Sequence, residues 1–189
     1  MSRKSLKLTV ALAALMLSVP LMAQTEGHDF SSVTLNGLSI YEPHTKAELF
    51  SVFGDPDRTD DGVFLYDRVL PVSRAAGAGG LSSGFEARRT VTDEIWYFMH
   101  GDTLYIDAFY IFSDRIAVNG FVRVGDPVSK VYEMGGATQE CTWRDGSKYV
   151  YWAPDDPDNP DNPLIEWGCH PYFNYDSDGI ITSIEYYYD

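Results

Sequence analysis

Asn36-Gly37-Leu38 leads through Thr45-Lys46-Ala47-Glu48-Leu49-Phe50-Ser51-Val52-Phe53 to Gly54. Further along, Asn119-Gly120-Phe121 leads through Asp126-Pro127-Val128-Ser129-Lys130-Val131-Tyr132-Glu133-Met134 to Gly135-Gly136. The chain thus states one plan twice, and a repeat of this kind governs how the rest is read. Each copy reads as a short helix. In the first, Thr45 and Glu48 have the spacing of a capping box, Gly54 supplies a left-handed stop and Pro56 forbids continuation. In the second, Asp126 reads as the N-cap, Pro127 as the first helical residue and Gly135-Gly136 as the end. Leu49, Phe50 and Phe53 make an apolar stripe on one helix; Val128, Val131 and Tyr132 make one on the other. Helices this short are not stable alone and require a sheet to lie on.

Strand signals follow each helix. After the first they cover Val63–Leu70, Glu94–Met99, Thr103–Phe112 and Arg115–Arg123. After the second they cover Glu140–Arg144, Lys148–Ala153, Leu164–Asn174 and Ile180–Tyr188. His100-Gly101-Asp102, Ser113-Asp114, Asp145-Gly146 and Asp176-Ser177-Asp178-Gly179 are the turns, and Asp-Gly is a strong hairpin signal. The expectation is an α+β fold of two tandem units, each a short helical segment packed on an antiparallel sheet. The units run over 24–118 and 119–189.

Residues 1–23 read as a signal peptide. Arg3, Lys4 and Lys7 precede an apolar run from Leu8 to Leu17 that is too short to span a membrane. No later segment is long and apolar enough to span one, and no cysteine lies near the expected cleavage after Ala23. The mature protein is therefore expected to be periplasmic or secreted, without a lipid anchor. Losing those three basic residues takes the formal charge from −14 to −17. That charge repels nucleic-acid phosphates and anionic membranes. It suits a cationic partner or simple solubility.

Cys141 and Cys169 are the two cysteines. In an oxidising compartment a disulfide between them is the default, stabilising the fold by about 3–4 kcal/mol on the chain-entropy account. Two reduced, buried cysteines are the alternative.

Two segments break the repeat. Ser73–Thr90 is rich in Gly, Ala and Ser and carries Arg74, Arg88 and Arg89, so it reads as a mobile basic loop. Pro154–Pro163 is acidic and proline-punctuated. Asp155, Asp158 and Asp161 share one face of a polyproline-like segment and are candidate calcium ligands, although their spacing is not that of an EF-hand. Gly80-Leu81-Ser82-Ser83-Gly84 matches the letters of a hydrolase elbow but lacks the strand before it and the helix after it. His28, His44, His100 and His170 lack zinc-ligand spacing, and His44 and His100 read as surface residues.

The remaining signal is aromatic: 13 Tyr, 10 Phe and 4 Trp. Alternation puts Leu104, Ile106, Ala108, Tyr110 and Phe112 on one strand face, and Ile165, Trp167, Cys169 and Phe173 on another. The opposite faces then carry Tyr105 and Asp107, and Glu166, His170 and Tyr172, with Tyr149, Tyr151 and Tyr187 beside them. A face mixing tyrosine with acids suits protein or sugar binding, and equally suits ordinary cross-strand pairing.

Gly54-Asp55-Pro56-Asp57 and Trp96-Tyr97-Phe98 in the first half, with Val124-Gly125-Asp126-Pro127 and Gly135 in the second, resemble the pattern of the SmpA/OmlA (BamE) group. Two such units in one exported chain resemble the β-lactamase-inhibitor-protein (BLIP) type of fold. The resemblance implies a tandem α+β architecture and carries no inhibitory residues across, and fold does not fix function. The expected function is an exported, non-catalytic module that binds another protein through a sheet face and loops. Its candidate contacts are Tyr105, Asp107, Tyr149, Tyr151, Glu166, His170, Tyr172, Arg88 and Arg89. A calcium-dependent structural or adhesive protein, and a hydrolase of unrecognised type, are the alternatives.

Overall fold

The computed structural model describes residues 32–40, 42–71, 88–154 and 170–187. The leader at 1–23, the Gly80–Gly84 motif, and Asp155, Asp158, Asp161, Glu166 and Cys169 lie outside the described residues.

Two tight turns frame the molecule. Asn36 and Asn119 take φ of 47° and 52°, and Gly37 and Gly120 follow at 90° and 63°. Asn-Gly is the pair that tolerates two successive left-handed residues. Asn36 joins β1 (Thr34–Leu35) to β2 (Leu38–Ser39). Asn119 makes the matching turn, in which Val118 bridges Val122. The expected strand at Arg115–Arg123 is therefore broken at its middle.

The two turns grip each other. Asn36 N–H donates to the Ala117 carbonyl at 2.9 Å, and Asn119 N–H donates to the Thr34 carbonyl at 2.8 Å. In return Ala117 N–H donates to Asn36 Oδ1 and Thr34 N–H donates to Asn119 Oδ1, both at 2.8 Å. Leu35 and Val118 pair between them and are fully buried. The exchange is reciprocal, residue for residue.

Helix α1 (Lys46–Phe53) starts as the sequence predicts. Glu48 N–H donates to Thr45 Oγ1 at 3.2 Å, and Thr45 N–H donates to Glu48 Oε2 at 2.7 Å. Gly54, at φ 85°, closes it with a bond to the Phe50 carbonyl. Helix α2 (Ser129–Glu133) differs from expectation. Its N-cap is Val128, with no side-chain cap. Asp126 and Pro127 are instead held against the start of the strand Ile181–Tyr186, because Ile181 N–H donates to the Asp126 carbonyl and Pro127 bridges Ile180. The Asp126 carboxylate accepts from Arg123 N–H and from Lys130 Nζ.

The strands are β3 (Arg58–Asp60), β4 (Val63–Pro71), β5 (Arg88–His100), β6 (Thr103–Ile111), β7 (Ala137–Thr142), β8 (Lys148–Ala153), β9 (Tyr172–Tyr175) and β10 (Ile181–Tyr186). They form one antiparallel eight-stranded sheet in the order β3-β4-β5-β6-β10-β9-β8-β7. This corrects the expected α+β fold of two tandem units with helices. Strands and bridges take 52% of the described residues against 11% for helices, and a single sheet runs unbroken through the β6–β10 pair. Helices of eight and five residues are too short to form a layer of their own. Arg88–Thr90, expected in a loop, begins β5.

One sheet face holds the main core. Phe64, Ile95, Leu104, Phe109, Ile111, Trp152, Phe173, Ile181 and Ile184 lie there, covered by Leu49 of α1 and Val131 of α2. Phe50 meets Phe64 edge-on at 5.2 Å, and Trp152 Nε1 donates to the Gly135 carbonyl at 2.7 Å. Next to it, a Cβ at Gly136 would collide with the Ala153 carbonyl. Simple alternation fails in β6. Trp96 pairs with Ala108 but Tyr97 pairs with Ile106, so Asp107 is a bulge. Beyond it Phe109 and Ile111 are buried, in place of the expected Ala108, Tyr110 and Phe112. His44, expected on the surface, is buried: Nε2 donates to the Ser39 carbonyl at 2.6 Å and its backbone pairs with Leu104.

Replacing Asn36 or Asn119 by Gly keeps the turn geometry and removes the carboxamide acceptor. Each change is expected to cost about 1–3 kcal/mol in urea unfolding, the cost of a buried N–H left unpaired. The double variant should lose less than the sum, because the clasp opens as a unit. Strictly additive losses would show that the turns act independently.

Candidate functional site

The opposite sheet face carries the second set of aromatic side chains, and its two halves differ. In the β7–β10 half, Tyr149, Tyr151 and Tyr172 are 6%, 3% and 5% exposed. They pack with Cys141, Trp143 and Tyr187 into a separate cluster. Tyr172 is its centre, with Tyr149, Tyr151 and Tyr187 at 5.8, 5.4 and 5.1 Å between ring centroids. Trp143 lies 4.5 Å from Tyr149, and His170 sits 6.0 Å from Tyr151. The tyrosines read from the sequence as contacts are thus on the expected face, but they are spent on one another. Alternation assigns a face; it does not say whether that face is filled.

In the β4–β6 half the same face is open. Trp96 is 39% exposed and Phe98 52% exposed. Val69, on the same face of β4 but beside Thr90 at the far end of β5, is also exposed. Phe98 stacks on its cross-strand partner Tyr105 at 5.0 Å with the rings 8° from parallel. Trp96 Nε1 donates to Glu94 Oε2 at 2.9 Å, which orients the indole. Asp107 is exposed on the bulge beside them. Tyr110 stacks on Tyr187 at 5.9 Å and joins the open half to the filled one. Arg89 is exposed at the start of β5, where it pairs with Leu70, and Arg88 precedes it in the strand.

Of the predicted contacts, the structure therefore brings Tyr105 and Asp107 into one open patch. It places Arg88 and Arg89 toward the other end of β5. Trp96 and Phe98 were missed as contacts. Their signal was the i, i+2 spacing of two large rings on one strand face, beside the acid Glu94.

Cys141 is a free cysteine next to Tyr149, and its expected disulfide partner Cys169 lies outside the described residues. Among the described residues no group of three or more His, Cys, Asp or Glu is placed to hold a metal ion. The three aspartates of the calcium reading lie outside them. No described helix is long and apolar enough to cross a membrane. The chain matches no family model, no curated protein and no solved structure. Nothing in those comparisons links it to the BamE-like or BLIP-like groups.

Two outcomes follow from the packing. Tyr172→Ala should cost about 3 kcal/mol or more, as for other large buried rings, whereas Tyr105→Ala should stay within about 1 kcal/mol of the parent. Chemical-denaturation midpoints separate the two. The second outcome concerns alkali. Desolvation, aided by the Cys141 thiol, pushes the Tyr149 phenol up to about 12. Burial likewise pushes Tyr66 up to about 12, and burial with the Glu140 carboxylate does the same for Tyr175. These phenols stay protonated in the folded chain while the unfolded chain ionises near the ordinary 10.0. The folded state then binds more protons, so stability present below pH 10 is lost as pH rises toward 12. Tyrosinate absorbance and the urea midpoint, followed together across that range, should change in step.

Proposed function

We propose that the protein is an exported, non-catalytic binding module that engages the basic surface of another protein through the open half of its sheet. The carrying observation is the pair Trp96 and Phe98, exposed on a rigid strand and flanked by acids. Isolated exposed apolar residues are ordinary, but two large rings side by side with Tyr105 form a patch of the kind that anchors partners. Aromatic side chains supply large contact area at little conformational cost, and their faces attract guanidinium and ammonium groups. Glu94 and Asp107 give the patch a negative rim. The net charge of −14 acts in the same sense, speeding encounter with cationic proteins and opposing nucleic acid.

A photo-crosslinking side chain placed at Phe98 should give a discrete adduct with an envelope protein, and one placed at Tyr132, exposed on α2, should not. The adduct should fade with rising salt and with Asp107→Asn. Equal labelling from both positions, or an adduct indifferent to salt and to Asp107, would remove this reading.

A further inference from the structure

At the far end of the sheet, where the β7–β8 hairpin meets the ends of β9 and β10, lies an open cleft of about 700 Å³. It does not wrap a ligand on most sides, as an enclosed small-molecule pocket does. It suits a ligand held by one face and laid along a surface. We propose that it is a subsite for a neutral saccharide, with Trp143 as the platform for one pyranose ring, Asp145 and Glu185 as acceptors from its hydroxyls and Arg144 as a donor to them.

Trp143 is fixed before any ligand arrives. Its Nε1 donates to Asn174 Oδ1 at 2.8 Å. One face of the indole lies against Tyr149, with centroids 4.5 Å apart and planes 30° from parallel. Tyr149 is buried beneath it, while the indole is half-buried and lines the cleft. The side turned away from Tyr149 is therefore the one open to a ligand. Asn174 Nδ2 donates onward to Ser183 Oγ at 2.9 Å and to Glu185 Oε1 at 2.8 Å. Ser183 Oγ also donates to Glu185 Oε1, at 2.9 Å. One network thus sets both the platform and the carboxylate beside it. A pyranose with equatorial hydroxyls matches this arrangement, because it presents an apolar C–H face to a ring and a rim of hydroxyls to fixed polar groups.

The charges of the lining choose among sugars. Asp145 Oδ1 accepts from Ser147 N–H at 3.0 Å and from Ser147 Oγ at 2.6 Å. Those bonds, the hydroxyl's first, hold its carboxyl below the usual carboxylate range. Both bonds to Glu185 come from neutral groups and fall on Oε1. Each carboxylate therefore keeps one oxygen, Asp145 Oδ2 and Glu185 Oε2, that accepts nothing among the described residues. Lys148 pairs with Glu140 at 3.3 Å. Arg144 is exposed, lines the cleft and makes no ion pair among the described residues. An anionic ligand would meet Asp145 and Glu185, and a cationic one would meet Arg144. A sugar hydroxyl donates to a carboxylate and accepts from a guanidinium, so an uncharged polyol uses both signs and opposes neither. This cleft is separate from the Trp96–Phe98 patch, and its fate does not depend on the protein-binding reading.

The test is a titration of the ¹⁵N-labelled full chain with cellotriose, whose ring hydroxyls are equatorial. Trigalacturonate is the anionic comparison and the glucosamine trimer the cationic one. The readout is the indole N–H resonance of Trp143, assigned by its loss in Trp143→Phe. Cellotriose should move that resonance saturably, leave the Trp96 indole where it was, and bind more tightly than either charged trimer. Its affinity should not change with salt, since no net charge is brought to the cleft. Arg144→Gln, at an exposed side chain, and Glu185→Gln, which turns the free acceptor into a donor, should each weaken it by about tenfold, the loss of one charge-assisted contact. A still Trp143 signal, equal movement of Trp96, tighter binding of a charged trimer, or unchanged affinity in either variant would each overturn the assignment.

Discussion

Reciprocal hydrogen bonds between Asn36 and Asn119 and the turns they face tie the N-terminal hairpin to the segment leading from β6 to α2. The sheet itself joins the two halves of the chain narrowly. Among the described residues three pairs connect β6 to β10, namely Ile111–Ile184, Tyr110–Glu185 and Phe109–Tyr186, whereas β4 and β5 share nine. A junction that narrow leaves the relative placement of the halves poorly determined by strand pairing alone. The clasp adds a second point of attachment away from the strands, and each carboxamide satisfies a backbone donor of the other turn. Thr34 and Ala117 would otherwise bring unpaired N–H groups into a region where Leu35, Ala117 and Val118 are fully buried. Asn suits both positions because it accepts the left-handed backbone and carries the needed oxygen.

The two central strands solve a second problem with bulges. Asp107 interrupts the β5–β6 register, and Thr182 interrupts the β9–β10 register. Each inserts one residue and shifts the side-chain phase. Past them, Phe109, Ile111, Ile184 and Tyr186 all face the covered core, while Tyr110, Glu185 and Tyr187 face the other side. Without the two shifts, alternation from Ile106 and Ile181 would turn Tyr110 and Glu185 toward the core in place of Phe109, Ile111 and Ile184.

Local chemistry was legible in the sequence wherever it is complete within a few residues. The Thr45–Glu48 box, the Gly54 stop, the Asp145-Gly146 turn and the β8 strand at Lys148–Ala153 are examples. What escaped depends on distant partners. Arg58–Asp60 has no hydrophobic pattern and is a strand only because it lies along β4. Asp126 has the letters of a cap, yet its carbonyl is held by Ile181 on a distant strand. The Asp107 bulge leaves no mark in an alternating run, so the buried set beyond it was misassigned. The overall class was misread for a related reason. Two helix signals weigh equally with strand signals in a sequence, but in space they cover a small part of an eight-stranded sheet. At the candidate site, Tyr105 and Asp107 were legible from alternation. The burial of Tyr149, Tyr151 and Tyr172 was not, since it arises from Trp143, Tyr187 and the rings themselves.

The contrast between the halves is what gives the open patch its meaning. The strand order from each edge inward runs in chain order on both sides, so β5 and β9 occupy corresponding places. Around β9 the aromatic rings close over one another and leave little for a partner. Around β5 the rings stay uncovered: Trp96 is tethered to Glu94 and Phe98 is stacked on Tyr105, and both remain exposed. Folding alone does not require that difference, because the β9 half shows that the same face is able to fill itself. An uncovered Trp–Phe pair on a sheet is an aggregation hazard, and here acids beside it and a strongly negative chain oppose self-association. In the binding function proposed above, the same charges would favour a partner of opposite sign. On the proposed reading, exposure of the rings and the acidity around them are two parts of one constraint, which would admit a basic protein surface and oppose contact with another copy of the chain.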